Sequence, residues 1–93
     1  MKNNHVNIFC KIYGRVQGVG FRSWLKKRAI TYTLNGWVRN CEDKTVECEI
    51  SGEEKRIKNL LEDCKKGPIF STVKNIFTEK KPFKKYSKFH IYY

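Results

Sequence analysis

An α+β sandwich, two helices laid on one face of an antiparallel sheet, is the fold class this sequence predicts. Three observations carry it. Segments of two-residue hydrophobic period alternate with segments of helical period in the order strand, helix, strand, strand, helix, strand, and a short strand closes the chain. The length, 93 residues, is that of a single domain, here taken as 1–93. The apolar fraction of 40%, with two Trp, five Tyr and six Phe, suffices for one packed core and argues against a disordered basic tail.

In residues 6–13, VNIFCKIY, Ile8, Cys10 and Ile12 share one face while Asn7, Phe9, Lys11 and Tyr13 share the other, which makes a strand. GRVQGVG follows, three glycines in seven residues, a tight loop whose backbone can take positive φ or come close to a ligand. From Phe21 the period lengthens. Phe21, Leu25, Ala29 and Tyr32 recur at helical spacing, predicting a helix over 21–33. Asn35-Gly36 punctuates, and 37–41 and 45–51 read as strands joined in a hairpin around Glu42, Asp43 and Lys44. Ser51 with Glu54 has the form of a capping box, and Ile57, Leu60, Leu61 and Cys64 stripe a second helix over 54–66, stopped by Gly67-Pro68. Residues 71–79 are β-rich with imperfect alternation, so the strand there is expected to carry a bulge. KKPFKKYSK reads as a solvated connection, and FHIYY as the last short strand. This is the split βαβ, ferredoxin-like order. The right-handed crossover then gathers the glycine loop, the start of the first helix and the hairpin at one end of the sheet.

Lys and Arg number 20 against 9 Asp and Glu, a net charge of +11 that attracts anions. Charge alone does not choose between a phosphorylated small molecule, nucleic acid and plain solubility. No stretch nears the roughly 18 apolar residues of a membrane span, and the opening MKNNHVNIFCKIYG has no secretory pattern, so a cytoplasmic protein without membrane contact is expected. Cys10, Cys41, Cys48 and Cys64 form no CxxC pair and have no His at ligand spacing; reduced thiols and no metal site are expected.

A loop that leaves a strand and enters a helix presents unpaired N–H groups at the positive helix end, and glycines let them converge on an anion. The spacing of Gly14, Gly18 and Gly20 is neither that of the nucleotide P-loop nor the dinucleotide fingerprint, so no nucleotide cofactor is implied. Arg22, about one residue into the helix, has a planar guanidinium that can take two phosphoryl oxygens. Asn40, taken alone, reads as a turn residue at a strand end.

The run Gly14-Arg15-Val16-Gln17-Gly18-Val19-Gly20-Phe21-Arg22 resembles the first signature of the acylphosphatases, G-x-V-Q-G-V-x-F-R, at every specified position. Their second signature is approached by Gly36-Trp37-Val38-Arg39-Asn40 with Val46 and Gly52 at the expected distances; Lys44 departs from it, standing where the family usually has Gly. The close, Phe89, Ile91 and Tyr93, matches the family's F-x-I-x-Y ending. The resemblance implies a monomeric enzyme that hydrolyses small acyl phosphates to carboxylate and inorganic phosphate, without metal or other cofactor. It implies that the loop amides of Arg15, Val16, Gln17, Gly18, Val19 and Gly20 bind phosphate together with Arg22, and that Asn40 orients the attacking water. The terminal carboxylate of Tyr93 is expected to reach Arg22 and fix its rotamer. Trp24 and Trp37 are expected to pack, His5 and His90 to lie on the surface, and Cys41 to take no part in chemistry.

The rival reading is a basic nucleic-acid-binding module on the same fold. The aromatic octamer of such modules is missing from TVECEIS, where no ring is available for stacking, so nucleic acid is not the expected partner.

Overall fold

The computed structural model describes residues 4–93. In chain order its elements are β1 (His5–Arg15), α1 (Phe21–Thr31), β2 (Asn35–Asn40), β3 (Val46–Glu53), α2 (Glu54–Lys66), β4 (Thr72–Lys81) and β5 (Phe89–Tyr92). They form one sheet of order β4-β1-β3-β2-β5 with both helices on one face. The alternation read in the first strand holds: Cys10 and Ile12 are buried beneath the helices, across from Cys48 and Val46 of β3. Leu25 and Ala29 of α1, with Ile57, Leu60 and Cys64 of α2, close the core from above.

Four details differ from the sequence reading. The sheet is mixed, because β5 runs parallel to β2, from Gly36 opposite Phe89 to Arg39 opposite Tyr92. Residues 82–88 make this possible by carrying the chain from the β4 edge to the β2 edge. Ser51 donates to the carbonyl of Lys84 and Asn35 Nδ2 to that of Tyr86, at 3.0 and 2.8 Å. The expected capping box is absent because Ser51 is paired within the sheet, opposite Asn7 and Asn35: β3 continues to Glu53, which takes the N-cap position, and no side chain caps α2. Asn35-Gly36 lies inside β2. The chain turns earlier, where Leu34 N–H donates to Ala29 O and Thr33 N–H to Ile30 O, a Schellman pair with Thr33 at φ 60 in the position glycine normally takes. The second strand therefore starts at Asn35 and ends at Asn40, leaving Cys41 in the turn.

The bulge expected in 71–79 is present. Tyr13 faces Asn75 while Gly14 faces Val73, so Lys74 is the extra residue on β4. Gly67 ends α2 at φ 69, as its place before Pro68 suggested. Among the described residues, no helix is long and apolar enough to cross a membrane.

Candidate active site

Two buried side chains pin the glycine loop. Val16 at its entrance and Phe21 at its exit are 1% and 2% exposed, and burying a side chain of this size contributes about 1.5–3 kcal/mol. Between these anchors the chain must reverse in a few residues. Gly18 and Gly20 allow this by adopting φ 73 and 77, where a Cβ would be strained although nothing crowds it. Gly20 is also the N-cap of α1, so no side chain satisfies the first amides of the helix, and its first turn carries no acidic residue. The positive end of α1 is thus left open to an external anion.

That opening is a cavity of about 100 Å³ lined by Val16, Gly18, Gly20, Phe21, Arg22, Ser23, Asn40, Ile91 and Tyr93. It is smaller than the roughly 300–1,000 Å³ of pockets that engulf a drug-sized ligand. A tetrahedral anion suits it, with the remainder of the ligand left outside. Arg22 is half-buried at its wall. Its Nη1 donates to the carbonyl of Tyr92 at 3.1 Å, and its guanidinium lies over the Tyr93 ring, 4.8 Å from the centroid. The partners expected from the terminal carboxylate are therefore supplied by the last strand in another form: among the described contacts of Arg22 are a carbonyl and a ring, not that carboxylate. One donor is spent on Tyr92, leaving others of the five for a ligand.

Asn40 enters from β2, whose last residue it is, paired with Val46. The turn beyond it is tied at several points. Cys41 N–H donates to Thr45 O (2.9 Å) and Lys44 N–H to Cys41 O (3.2 Å), with Lys44 at φ 75, so a side chain occupies the left-handed conformation where glycine would be unstrained. Both the amide and the hydroxyl of Thr45 donate to Asp43, which also meets Lys11 at 3.0 Å. These bonds, the Thr45 hydroxyl first and Lys11 next, hold the Asp43 carboxyl down at about 2. Glu47 is likewise lowered, chiefly by Arg39, which donates to it through Nε and Nη2 at 3.1 and 2.7 Å.

One side chain couples the two halves of the site. Gln17 Nε2 donates to the carbonyls of Cys41 and Thr45, at 2.8 and 2.9 Å. Sequence reasoning enlisted Gln17 only for its amide, and this strut to the turn behind Asn40 was missed. Nothing in spacing announces it; the glutamine within the loop signature is the sole hint. The Tyr92 carbonyl, a backbone group, left no signal at all.

Of the candidate residues, the cavity unites Val16, Gly18, Gly20, Arg22 and Asn40. Arg15 ends β1 opposite Thr72, Val19 packs against the core, and Gln17 braces the turn; none of the three lines the cavity. His90 stacks on Tyr92 with centroids 6.0 Å apart, and His5 sits by Phe83, both outside the lining. Trp24 packs on Phe21, Trp37 on Tyr92. Cys10, Cys41, Cys48 and Cys64 are free thiols. The neighbouring Cys10 thiol and burial raise Cys48, and burial raises Cys64, so neither is a ready nucleophile. Among the described residues, no group of His, Cys, Asp and Glu is arranged to hold a metal ion.

The chain is similar to known proteins over most of its length. The family model described as acylphosphatase matches residues 8–91. An acylphosphatase of Clostridium acetobutylicum is 47% identical over 72 residues, covering 77% of this chain and 79% of that protein. The structure of an acylphosphatase from Coxiella burnetii superposes with a TM-score of 0.92 at 35% identity, covering 96% of this chain and 94% of the other. Acylphosphatase from Bacillus subtilis gives 0.92 at 34% identity, over 95% and 99%.

Proposed function

From its membership of the acylphosphatase family, which makes this chain a hydrolase acting on acyl phosphates, we propose how its own residues divide the work. The phosphoryl group sits in the small cavity, its oxygens facing the open amides at the start of α1, the amides of the loop residues that line it, Val16, Gly18 and Gly20, and the Arg22 guanidinium, while Arg15, Gln17 and Val19 hold the loop in shape. Asn40, on the cavity wall, accepts a hydrogen bond from water through its amide oxygen and aims it in line with the departing carboxylate. That leaving group is already a weak base, so no strong general acid is needed, and the site's task is to hold charge and position water. Carboxylate and inorganic phosphate are the products.

The observation that carries this reading is the shared cavity: an anion cradle at an uncapped helix start with Arg22 and Asn40 on its walls. Its size supports recognition of the phosphoryl end, with the acyl group toward solvent past Ile91 and Tyr93. The net charge of +11 supports capture of an anion. The match of a single family model over residues 8–91 supports one domain, the four free thiols fit the reducing cytoplasm, and the lysine-rich outer strand fits a monomer. No observation favours nucleic acid at this site, since β3 turns Glu47, Glu49 and Ser51, not rings, to the face opposite the helices.

Phosphate release from benzoyl phosphate in the presence of EDTA tests the reading. Turnover that persists, with competitive inhibition by inorganic phosphate and sulfate, is expected. Activity lost with EDTA and restored by magnesium, or purely noncompetitive inhibition by phosphate, contradicts it.

A further inference from the structure

A second surface lies at the outer edge of the sheet, where β4 ends the strand order and runs beside α2. Two hollows of about 290 and 350 Å³ between β4 and α2 share Lys65 and Ile76, so they form one continuous groove. Its apolar floor is Leu61, Val73 and Ile76. Its cationic rim is Lys58, Lys65 and Lys74.

The backbone beside the groove is directed outward. Ile76 N–H donates to Oδ1 of its neighbour Asn75 at 3.0 Å, although Ile76 lies opposite Ile12 in the register with β1. Its amide therefore points off the sheet edge. Beyond the bulge the register is regular, and the alternation of an antiparallel ladder gives Thr78 and Lys80 the same outward direction. Asn75 covers the first of these positions, and the next two stand uncovered by β1. An edge with outward amides beside a helix groove is the geometry of strand addition, in which main-chain bonds supply affinity and side-chain pockets supply selectivity.

We propose that this edge binds an extended, acidic segment of a partner protein as a sixth strand. Lys58, Leu61 and Lys65 follow one face of α2, and the two lysines stand about 10 Å apart by helical rise. In a strand, residues four apart are about 13 Å apart on one face, a span that flexible lysine side chains reach. The complementary pattern is acidic, any, apolar, any, acidic, with the central apolar residue on Leu61 and Ile76. The acid in the groove, Glu62, is already held by Lys65 at 2.8 Å. A second copy is the poorer occupant, because this edge carries Lys74, Lys80 and Lys81 against a single acid, Glu79, so two such edges repel. Nucleic acid is poorer too, since no aromatic ring lines the groove for stacking.

The probe is a short fluorescein-labelled peptide centred on Glu-Thr-Val-Thr-Glu, read by anisotropy on the full chain, with hydrogen exchange followed at the Thr78 and Lys80 amides. Saturable binding, slowed exchange at both amides and unchanged acylphosphatase activity are expected. The double variant K58E/K74E should weaken binding at least about tenfold, as reversing charges at a rim does. The same peptide with N-methylated backbone amides should fail to bind. The proposal is overturned by any of four results: no saturable binding, binding indifferent to N-methylation or to charge reversal, dimerisation of the chain through the same amides, or equal protection of them by an oligothymidylate.

Discussion

Replacing Gln17 by alanine removes the strut between the phosphate loop and the turn behind Asn40. The amide donates twice, to Cys41 O at 2.8 Å and Thr45 O at 2.9 Å. Each carbonyl keeps another donor, Lys44 N–H and Cys41 N–H respectively, so neither is orphaned. The loss is then that of two net hydrogen bonds, about 1–2 kcal/mol, rather than of two bare buried acceptors. For a domain of this length that lowers Tm by about 5–15 °C. The kinetic effect should be disproportionate, because the strut fixes the distance between the cradle and Asn40. A misplacement of about 1 Å can cost about 100-fold in rate, so kcat measured well below Tm should fall about 10- to 100-fold. The phosphate inhibition constant, set by the cradle and Arg22, should move less. Gln17→Glu should be worse than alanine in both respects, since it sets a carboxylate against two carbonyl oxygens. Circular dichroism melts and steady-state hydrolysis of benzoyl phosphate supply both readouts. A Gln17→Ala enzyme with wild-type kcat and a lowered Tm would reduce the strut to a purely structural bond and refute the coupling.

Lys44→Gly and Thr33→Gly each release a side chain from positive φ, at 75 and 60; after the entropy that glycine adds to the unfolded chain, each should raise stability by about 0.5–1 kcal/mol, seen as a higher denaturant midpoint at constant m. Asp43 titrates at about 2 when folded against 3.8 ordinarily. The unfolded chain therefore takes up the proton first as pH falls, so its stabilisation is complete above the ordinary value and is lost on acidification toward pH 2; Asp43→Asn should flatten acid unfolding in that window. Tyr93→Ala removes the ring over Arg22 but keeps the Tyr92 carbonyl, and an exposed cation–π contact of about 0.5–1 kcal/mol translates into a KM raised about two- to fivefold with kcat nearly intact.

Much of this was legible in the sequence because it rests on local rules. Helix α2 ends where Gly67-Pro68 says it should, and Lys74 bulges where alternation breaks. The loop signature marked the tight reversal between Val16 and Phe21 because positive φ at Gly18 and Gly20 is a demand that few other residues meet. What escaped depends on pairing across the chain. Ser51 and Glu54 look like a cap, but pairing opposite Asn7 and Asn35 keeps Ser51 in β3, and no periodicity reveals that residues 82–88 bring β5 in parallel to β2. Asn35-Gly36 has the composition of a turn, yet a Cβ on Gly36 would lie 1.9 Å from Glu49 O, so glycine serves there to let two strands approach. Arg22 was identified by motif, but its holders, a carbonyl and an aromatic face, are set by where the last strand docks.

The central claim is that Arg22 and the cradle bind the phosphoryl group while Asn40 acts on the water. Comparing kcat and KM for Asn40→Ala and Arg22→Gln, both verified as folded, tests it most directly. Asn40→Ala should lower kcat about 100- to 1,000-fold at nearly unchanged KM, and Arg22→Gln should impair both kcat and KM, because its charge meets ground state and transition state alike. Near-normal kcat in Asn40→Ala, or unaltered KM in Arg22→Gln, would contradict the account.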